Sequence, residues 1–333
     1  MTATRRRIVR VPRIRDHTWS PLERAVVIAA LTITMGALFL TTYTLALGDP
    51  VPHRIDAALV GDPAQHAHAL EAVERVAAGN LAFRRYGSAE AALRAIDLQR
   101  VYAALDLTSA TPTLYVASAA GASVARLLER ISATDPEVRV VDTHPLSASD
   151  PNGLDIFYLM LVATIVGFVT VFHVRANAGG LRLDHWTAWV LGFAVTAALA
   201  LTLVVGPGLN RLDVPVPETW GILALQILAV ASFASLMAVL LGRWAILPVW
   251  LFFVVLGNSS SGGAVSPPLL PAPFAFVSHW LPSGATVTSL RDAIYFADHQ
   301  HARPLLVLAA WAATLFAAML AASRRLRTSP GAA

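Results

Sequence analysis

The chain has 333 residues, 56% of them hydrophobic and only 14% charged, which is too apolar for an ordinary soluble domain. It contains no cysteine, so disulfides, thiolate chemistry and cysteine-ligated metal sites are excluded. All 25 basic residues are arginine, and without lysine the chain cannot form the phosphate-binding loop of P-loop nucleotide hydrolases.

The arginines cluster at the two ends of the chain, beside its apolar segments. Seven lie within residues 1–24, and Arg324, Arg325 and Arg327 follow the last apolar run. This placement is typical of membrane borders, so the net charge of +4 does not indicate a nucleic-acid partner. By the positive-inside rule both ends are predicted to be cytoplasmic, which requires an even number of membrane spans. Arginine without lysine, with frequent alanine, is typical of a GC-rich bacterial genome, and we expect a multi-pass protein of the bacterial inner membrane.

The first apolar segment, residues 25–47, contains no charge and is predicted to be transmembrane helix 1. As a helix it would be about 35 Å long, enough to cross a hydrocarbon core of about 30 Å. A cleavable signal peptide is the alternative, but its apolar region is usually shorter, and no convincing cleavage site follows Leu47. Residues 1–24 are predicted to be a cytoplasmic basic segment, whose part from Arg13 to Arg24 forms either an amphipathic interfacial helix or a disordered tail.

Residues 48–153 differ in character, with nine arginines and thirteen carboxylates, and are predicted to form an extracytoplasmic α/β domain between helices 1 and 2. Short apolar runs alternate with helical patterns, which favours a small sheet with some parallel pairing. The predicted strands are Ile55–Val60, Leu81–Tyr86, Val101–Leu107, Thr113–Ala117 and Val138–Thr143. The predicted helices are Pro63–Ala78, Ser88–Leu98 and Ala120–Ala133.

Residues 154–323 are predicted to contain transmembrane helices 2–6, and residues 324–333 form the cytoplasmic tail. The apolar segments that are long enough, or nearly long enough, to span are Ile156–Phe172, Trp186–Gly206, Thr219–Gly242, Trp244–Gly257 and Pro304–Ser323. With the first helix this makes six spans. The fold class is therefore an α-helical polytopic membrane protein with an extracytoplasmic α/β domain.

No formal charge occurs between Arg243 and Arg291, yet this segment cannot be one helix. The run Asn258-Ser-Ser-Ser-Gly-Gly263 and four prolines between residues 267 and 273 all break helices. In lipid, broken backbone is tolerated only where protein or water satisfies its polar groups. Residues 257–290 are therefore predicted to be a re-entrant segment rich in glycine and proline.

Two histidine pairs were considered as metal ligands. His66 and His68, and likewise His299 and His301, stand two residues apart, which on a helix points them away from each other. Solvated histidines are the better interpretation, and no cofactor or metal is predicted.

Candidate catalytic residues are equally few. Ser261 could act as a nucleophile with His279 as its base, but a glycine- and serine-rich hinge in a membrane protein is more often a turn. Charges inside the spans are almost absent, and Asp155 is expected at the membrane interface because an acid at the bilayer centre is costly. Proton-driven transport is therefore not favoured.

Three features together indicate a family. The layout is a basic N-terminus, one span, a large α/β domain and five further spans. Within the domain, the strand Arg54-Ile-Asp-Ala-Ala-Leu-Val-Gly-Asp62 is followed by the helix Ser88-Ala-Glu-Ala-Ala-Leu and the strand Val101-Tyr-Ala-Ala-Leu-Asp-Leu. Before the last span come Ser261-Gly-Gly, Leu269-Leu-Pro, Leu281-Pro and Ser289-Leu-Arg-Asp-Ala-Ile-Tyr295. With these features the chain resembles the membrane subunits of type-2 ABC exporters, especially the branch of phage-infection-protein-like bacterial membrane proteins.

The resemblance implies a half-transporter that forms a homodimer in membrane lipid and exports an apolar or amphiphilic substrate, with ATP hydrolysed by a separate nucleotide-binding subunit. It also implies an extracellular gate in the broken segment, at Asn258, Ser261, Gly262, Gly263, Pro267, Pro271, Pro282 and Arg291. The ATPase-coupling residues would lie on the cytoplasmic side, at Arg15, Arg24, Arg175, Arg182 and Asp184. No catalytic site is expected on this chain itself.

The cytoplasmic connections are short for that family, with 11 residues from Val174 to Asp184 and almost none at Arg243. This favours an alternative, a non-transporting envelope assembly or scaffold protein that works through its extracytoplasmic domain. An ATPase gene beside this one would favour the exporter. Stable association of residues 48–153 with an envelope protein would favour the scaffold.

Overall fold

The computed structural model describes residues 20–178 and 180–328, and the chain divides into two units, Met1–Thr41 and Thr42–Ala333. The described part of the first unit belongs to helix α1 (Pro21–Leu47). Ser20 and Glu23 form a capping box, because the Ser20 N–H donates to Glu23 Oε2 at 2.7 Å and the Glu23 N–H donates to Ser20 Oγ at 3.2 Å. The helix therefore begins earlier than the predicted span. Most of the predicted interfacial segment before it lies outside the described residues.

The second unit contains a mixed five-stranded sheet with the order β2-β1-β3-β4-β5. Its strands are β1 (Ile55–Val60), β2 (Leu81–Tyr86), β3 (Ala103–Asp106), β4 (Thr113–Val116) and β5 (Arg139–Asp142). Strand β1 pairs in parallel with β2 and β3, β3 pairs antiparallel with β4, and β4 pairs in parallel with β5. The predicted sheet with some parallel pairing is confirmed.

Helices connect the parallel strands, as the alternating pattern predicts. They are α2 (Ala67–Val76), preceded by a 3-10 turn Pro63–His66, then α3 (Ala89–Asp97), α4 (Ala122–Glu129) and α5 (Ile131–Thr134). The Ser88 hydroxyl caps α3 by accepting from the Ala91 N–H at 3.2 Å. Gly79, at φ +72°, follows the end of α2 in the left-handed conformation that glycine adopts most easily.

Three long helices follow the sheet: α6 (Asp155–Asn177), α7 (Leu183–Leu203) and α8 (Val216–Leu241). Helix α7 continues as a π-helical turn, Val204–Gly208, that contains Pro207. The loop between α7 and α8 returns to the sheet, since Arg211 forms an ion pair with Asp155 at 2.8 Å and its carbonyl accepts from the Ser147 hydroxyl at 3.1 Å. We call this end of the helical bundle the sheet end.

The chain reverses at Gly242, at φ +56°, and packs back against α8. A 3-10 turn (Gly242–Ala245), the short helix α9 (Ile246–Val249) and a π-helix (Trp250–Asn258) follow. The return from Ile246 to Asn258 is about 20 Å long at 1.5 Å per residue and combines a short α-helix with a π-helix. The predicted span Trp244–Gly257 is therefore not a separate long helix.

The remaining helices are α10 (Ala272–Ser278), α11 (Pro282–Tyr295) and α12 (Ala302–Thr328). Helix α8 is central and packs against α6, α7, α11 and α12. In all, five helical segments of the described chain are long and apolar enough to cross a membrane. Their bounds are Pro21–Leu47, Asp155–Asn177, Leu183–Gly208, Val216–Asn258 and Ala302–Arg325. The six expected spans are not confirmed by this count, because the reversal at Gly242 lies inside one continuous helical stretch that contains two of the predicted spans.

Candidate functional site

Helices α10 and α11 form a hairpin that enters the bundle from the sheet end and returns to it. We call these two helices the re-entrant hairpin. At its inner end, the Trp311 indole N–H of α12 donates to the Trp280 carbonyl at 2.7 Å. At its outer end, Asp292 accepts from the Gln99 side chain of the sheet domain at 2.7 Å. The predicted re-entrant segment, residues 257–290, contains most of this hairpin.

A buried polar network holds the re-entrant hairpin against α6 and α8. Gln226 Nε2 donates to Thr164 Oγ1 at 2.9 Å, and the Thr286 hydroxyl lies 2.9 Å from Gln226 Oε1 and 2.8 Å from the Pro282 carbonyl. All three side chains are fully buried. Gln226 is about 15 Å along α8 from the sheet end at 1.5 Å per residue, so these polar groups lie deep in the apolar bundle.

The loop before the hairpin, residues 259–271, lies between the bundle and the sheet, and we call it the junction loop. Val265, Leu269 and Leu270 belong to the hydrophobic core on one face of the sheet. The Ser266 N–H donates to Ser123 Oγ at 2.8 Å, and the Pro268 carbonyl accepts from the His53 N–H at 3.0 Å. The junction loop is thus built into the sheet domain.

Phe296, directly after the hairpin, packs into the core on the other face of the sheet. It is 2% exposed and stacks on His144 with ring centroids 4.7 Å apart. Since the junction loop enters one core and Phe296 the other, the sheet domain holds the re-entrant hairpin at both ends.

The two glycines of the predicted gate have different physical roles. Gly262 has φ +73°, and a Cβ there would lie 3.0 Å from Pro267 Cγ. Gly263 has no such backbone angle, but a Cβ would lie 2.9 Å from Phe157 Cβ at the start of α6. Gly262 is therefore required for conformation, and Gly263 for the close approach of the junction loop to α6.

Arg291 lies at the centre of the junction. Its Nη2 donates to the Gly262 carbonyl at 3.1 Å. The neighbouring Asp292 is engaged elsewhere, because its Oδ1 accepts from Gln99 and its Oδ2 accepts from the His301 N–H at 3.0 Å. Arg291 and Ser261 line one cavity of about 170 Å³ between the sheet domain and the hairpin.

The predicted gate residues are partly brought together. Ser261, Pro267 and Arg291 line the cavity, and Gly262 and Gly263 adjoin it. Pro271 precedes α10, Pro282 begins α11 and Asn258 is buried beside Tyr43, all three away from that lining. Gln99, Tyr102 and Thr288 also line it, and sequence reasoning missed them. Gln99 and Tyr102 precede the junction loop by more than 150 residues, so no local pattern could have found them.

The nucleophile interpretation of Ser261 gains no support from its hydrogen bond. Ser261 and His279 line the same cavity, but the Ser261 hydroxyl donates to the Asn258 carbonyl at 2.9 Å and not to the imidazole. Within the described residues no group of three or more histidines, aspartates and glutamates could hold a metal ion.

Three of the five predicted coupling residues lie at the end of the bundle opposite the sheet. Arg182 and Asp184 form an exposed ion pair at 3.2 Å, and the Arg175 guanidinium lies 5.6 Å from the Trp186 ring centroid. These residues belong to one connection, between α6 and α7. Arg24 lies in the first turn of α1, in the first unit, and Arg15 lies outside the described residues.

Comparison with known proteins gives this chain no relatives. It matches no protein-family model, and no curated protein or solved structure shows significant similarity to it.

Proposed function

We propose that this chain is the membrane permease subunit of an exporter that moves an apolar or amphiphilic substrate out of the cytoplasm or the inner leaflet. The observation that supports this most directly is the attachment of the re-entrant hairpin to the sheet domain at both ends. Movement of the domain then moves a polar, broken segment deep within the bundle. A hairpin that moves with the domain could open and close a pathway, so this attachment favours a gate over a static anchor.

The proposed topology follows from charge and helix direction. The segment Val216–Asn258 leaves the sheet end as α8 and returns toward it after Gly242, so counting it as two passages gives six, which would place both ends of the chain on the same side. Arginines flank both ends, so by the positive-inside rule that side is the cytoplasm. The sheet domain and the junction cavity then lie outside, in the envelope of a bacterial cell.

ATP would be hydrolysed by a separate subunit bound at the α6–α7 connection, because this chain has no lysine for a phosphate-binding loop. The exposed pair Arg182–Asp184 is the docking candidate there. In this proposal two identical chains associate, and the substrate passes along the interface between them in contact with membrane lipid.

One observation favours the scaffold alternative. Helix α6 ends at Asn177 and α7 begins at Leu183, so only five residues connect them, little for an ATPase to bind. The sheet domain would then be the working part, as an envelope assembly factor, and the hairpin would only anchor it.

Purification from the native membrane in mild detergent, followed by mass spectrometry of the accompanying proteins, decides between the two. The exporter predicts a stoichiometric nucleotide-binding subunit, lost in the Arg182→Ala/Asp184→Ala variant. The matched control is Glu90→Ala/Arg94→Ala, which removes an exposed ion pair of 2.7 Å from the sheet domain and should keep the subunit. Recovery of an envelope protein without any ATPase would establish the scaffold instead.

A further inference from the structure

Within the described chain, the junction cavity is lined by basic and neutral polar side chains without any acidic one. Among the described residues around it are one guanidinium, two imidazoles, a phenol and an amide, and none of the lining residues is a carboxylate. These groups belong to Arg291, His279, His301, Tyr102 and Gln99. Its volume of about 170 Å³ is large enough for a phosphate group with several waters.

The guanidinium of Arg291 has capacity left for a ligand. Within the described part of the chain its one hydrogen-bond partner is the Gly262 carbonyl, and it forms no ion pair there. A guanidinium has five N–H donors, and one carbonyl satisfies only one of them. The carboxylate oxygens of the neighbouring Asp292 bond to Gln99 and His301, so Asp292 occupies none of these donors, although its charge acts on Arg291 from nearby.

Tyr102 lines the same cavity and carries a second potential donor. Burial raises the pKa of the Tyr102 phenol, although the charge of Arg291 opposes the shift and that of Asp56 adds to it. Its hydroxyl therefore keeps its proton at neutral pH and can donate. The lining hydroxyls of Ser261, Ser278 and Thr288 instead donate to backbone carbonyls of their own segments.

Two exposed aromatic residues stand next to the lining residues in the sequence of the hairpin. Phe276 is 68% exposed and Trp280 is 53% exposed, on either side of the lining residues Ser278 and His279. A molecule whose charged group occupies the cavity could lay an acyl chain over Phe276 and the face of Trp280 that Arg303 does not cover.

We propose that the junction cavity binds the phosphate group of an anionic amphiphile, with Arg291 and Tyr102 as its donors. The planar fork of arginine fits two phosphate oxygens at once, which makes Arg291 the principal contact. This rests on the proposed function, since it specifies the class of amphiphile that the exporter would move. The same chemistry is offered by a lipid head group and by free phosphate, which the experiment separates.

The test is a binding measurement on the purified full-length chain in a non-ionic detergent, without any ATPase. The probes are dihexanoyl phosphatidic acid, dihexanoyl phosphatidylcholine and inorganic phosphate, each titrated while thermal unfolding is followed. We expect saturable stabilisation by phosphatidic acid, with weaker effects of the other two. Arg291→Gln should raise the Kd for phosphatidic acid more than about tenfold, because it removes hydrogen bonds from a charged donor.

Two further variants keep the test decisive. Tyr102→Phe removes only a hydroxyl and should weaken binding about threefold to tenfold even if Arg291→Gln misfolds. Arg243→Gln is the matched control, because Arg243 lies over Trp244, 5.1 Å from the ring centroid, at the end of the bundle opposite the cavity, so its Kd should not change. Equal binding of inorganic phosphate would overturn the amphiphile, and Kd values unchanged in Arg291→Gln and Tyr102→Phe would overturn the site.

The result is independent of the ATPase partner. If phosphatidic acid binding depends on Arg291 but purification from the native membrane recovers no nucleotide-binding subunit, the site is supported and the exporter is not. An ATPase complex that binds no phosphatidic acid would support the exporter and refute the site.

Discussion

Gly262 couples the conformation of the junction loop to Arg291, because its carbonyl accepts the guanidinium's hydrogen bond. Gly262→Ala should destabilise the protein by about 1–2 kcal/mol, since an L-residue pays that much in the left-handed region. The new Cβ would also press on Pro267 and move the Gly262 carbonyl. We expect a lower Tm and, in a complex with the proposed ATPase subunit, loss of substrate-stimulated ATP hydrolysis.

Gly79→Ala is the matched control for that change. Gly79 has φ +72°, nearly the same angle, but no atom lies within 4 Å of its added Cβ. Its Tm should fall through backbone strain alone, with ATP hydrolysis unchanged. Equal ATP hydrolysis in both variants would remove Gly262 from the gate.

For single residues, the sequence predicted the chemical or conformational property of a residue better than the contacts that it makes. The glycine pair was expected to provide a flexible turn, and Gly262 does have a positive φ. Gly263 is needed because of Phe157, far earlier in the chain, and a sequence pattern cannot show that contact. Asp155 was expected at the membrane interface, but its partner Arg211 became visible only when the α7–α8 loop returned to the sheet.

Among the elements, α11 depends on a glutamine that sequence reasoning assigned no role. Gln226→Leu removes the amide that joins Thr164 to Thr286 in a dry environment and should cost about 1–3 kcal/mol in total, since the Thr286 hydroxyl keeps its bond to the Pro282 carbonyl. The triple variant Thr164→Val/Gln226→Leu/Thr286→Val should recover much of that loss, since it removes the polar groups together. Thermal unfolding of the three proteins in detergent checks this order. A triple variant less stable than Gln226→Leu would contradict it.

Phe296 tests the attachment of the hairpin to the sheet. Phe296→Ala removes a ring that is 2% exposed, so it should cost about 3–5 kcal/mol and expose the start of the α11–α12 loop to proteolysis. Phe276→Ala, at a ring that is 68% exposed, is the control and should change stability by less than about 0.5 kcal/mol. Similar cleavage rates for both variants would show that the hairpin is not held there.

Local patterns predicted the sheet elements well. The bounds of β1 and β2 agree with prediction, and the other strands are one to three residues shorter, because alternation and turn residues are local signals. The return after Gly242 was harder, since hydropathy reports apolar length but not a π-helical path or its depth. Its short helix is stabilised by packing on α8, a tertiary effect.

For the whole molecule, the proposed topology places the sheet outside the cell and the α6–α7 connection inside. The chain has no cysteine, so single cysteines can report sidedness without background. Ala110→Cys, in the exposed β3–β4 loop, should react with an impermeant thiol reagent in intact cells. Ala178→Cys, exposed after α6, should react only after permeabilisation. Labelling of Ala178→Cys in intact cells would invert the topology.

The sequence was sufficient to predict a helical membrane protein with a small sheet. The length of an apolar run and the alternation of apolar with polar residues are local patterns, and each can be recognised within its own segment. The sequence could not predict that the sheet domain and the bundle share side chains. The apolar runs around Leu270 and Phe296 were read as parts of the membrane segment, yet they complete the two cores of the sheet.

That sharing determines when the sheet can finish folding during synthesis. The strands and their helices end by Asp142, but Val265, Leu269 and Leu270 are made more than 120 residues later, and Phe296 more than 150 residues later. At a synthesis rate of about 5–20 residues per second, the two cores wait about 6–30 s for their last side chains. The nascent sheet must therefore be kept from aggregating until the final helix is about to be made. An isolated fragment of residues 48–153 would lack these later side chains and would leave the apolar surface that they cover exposed permanently.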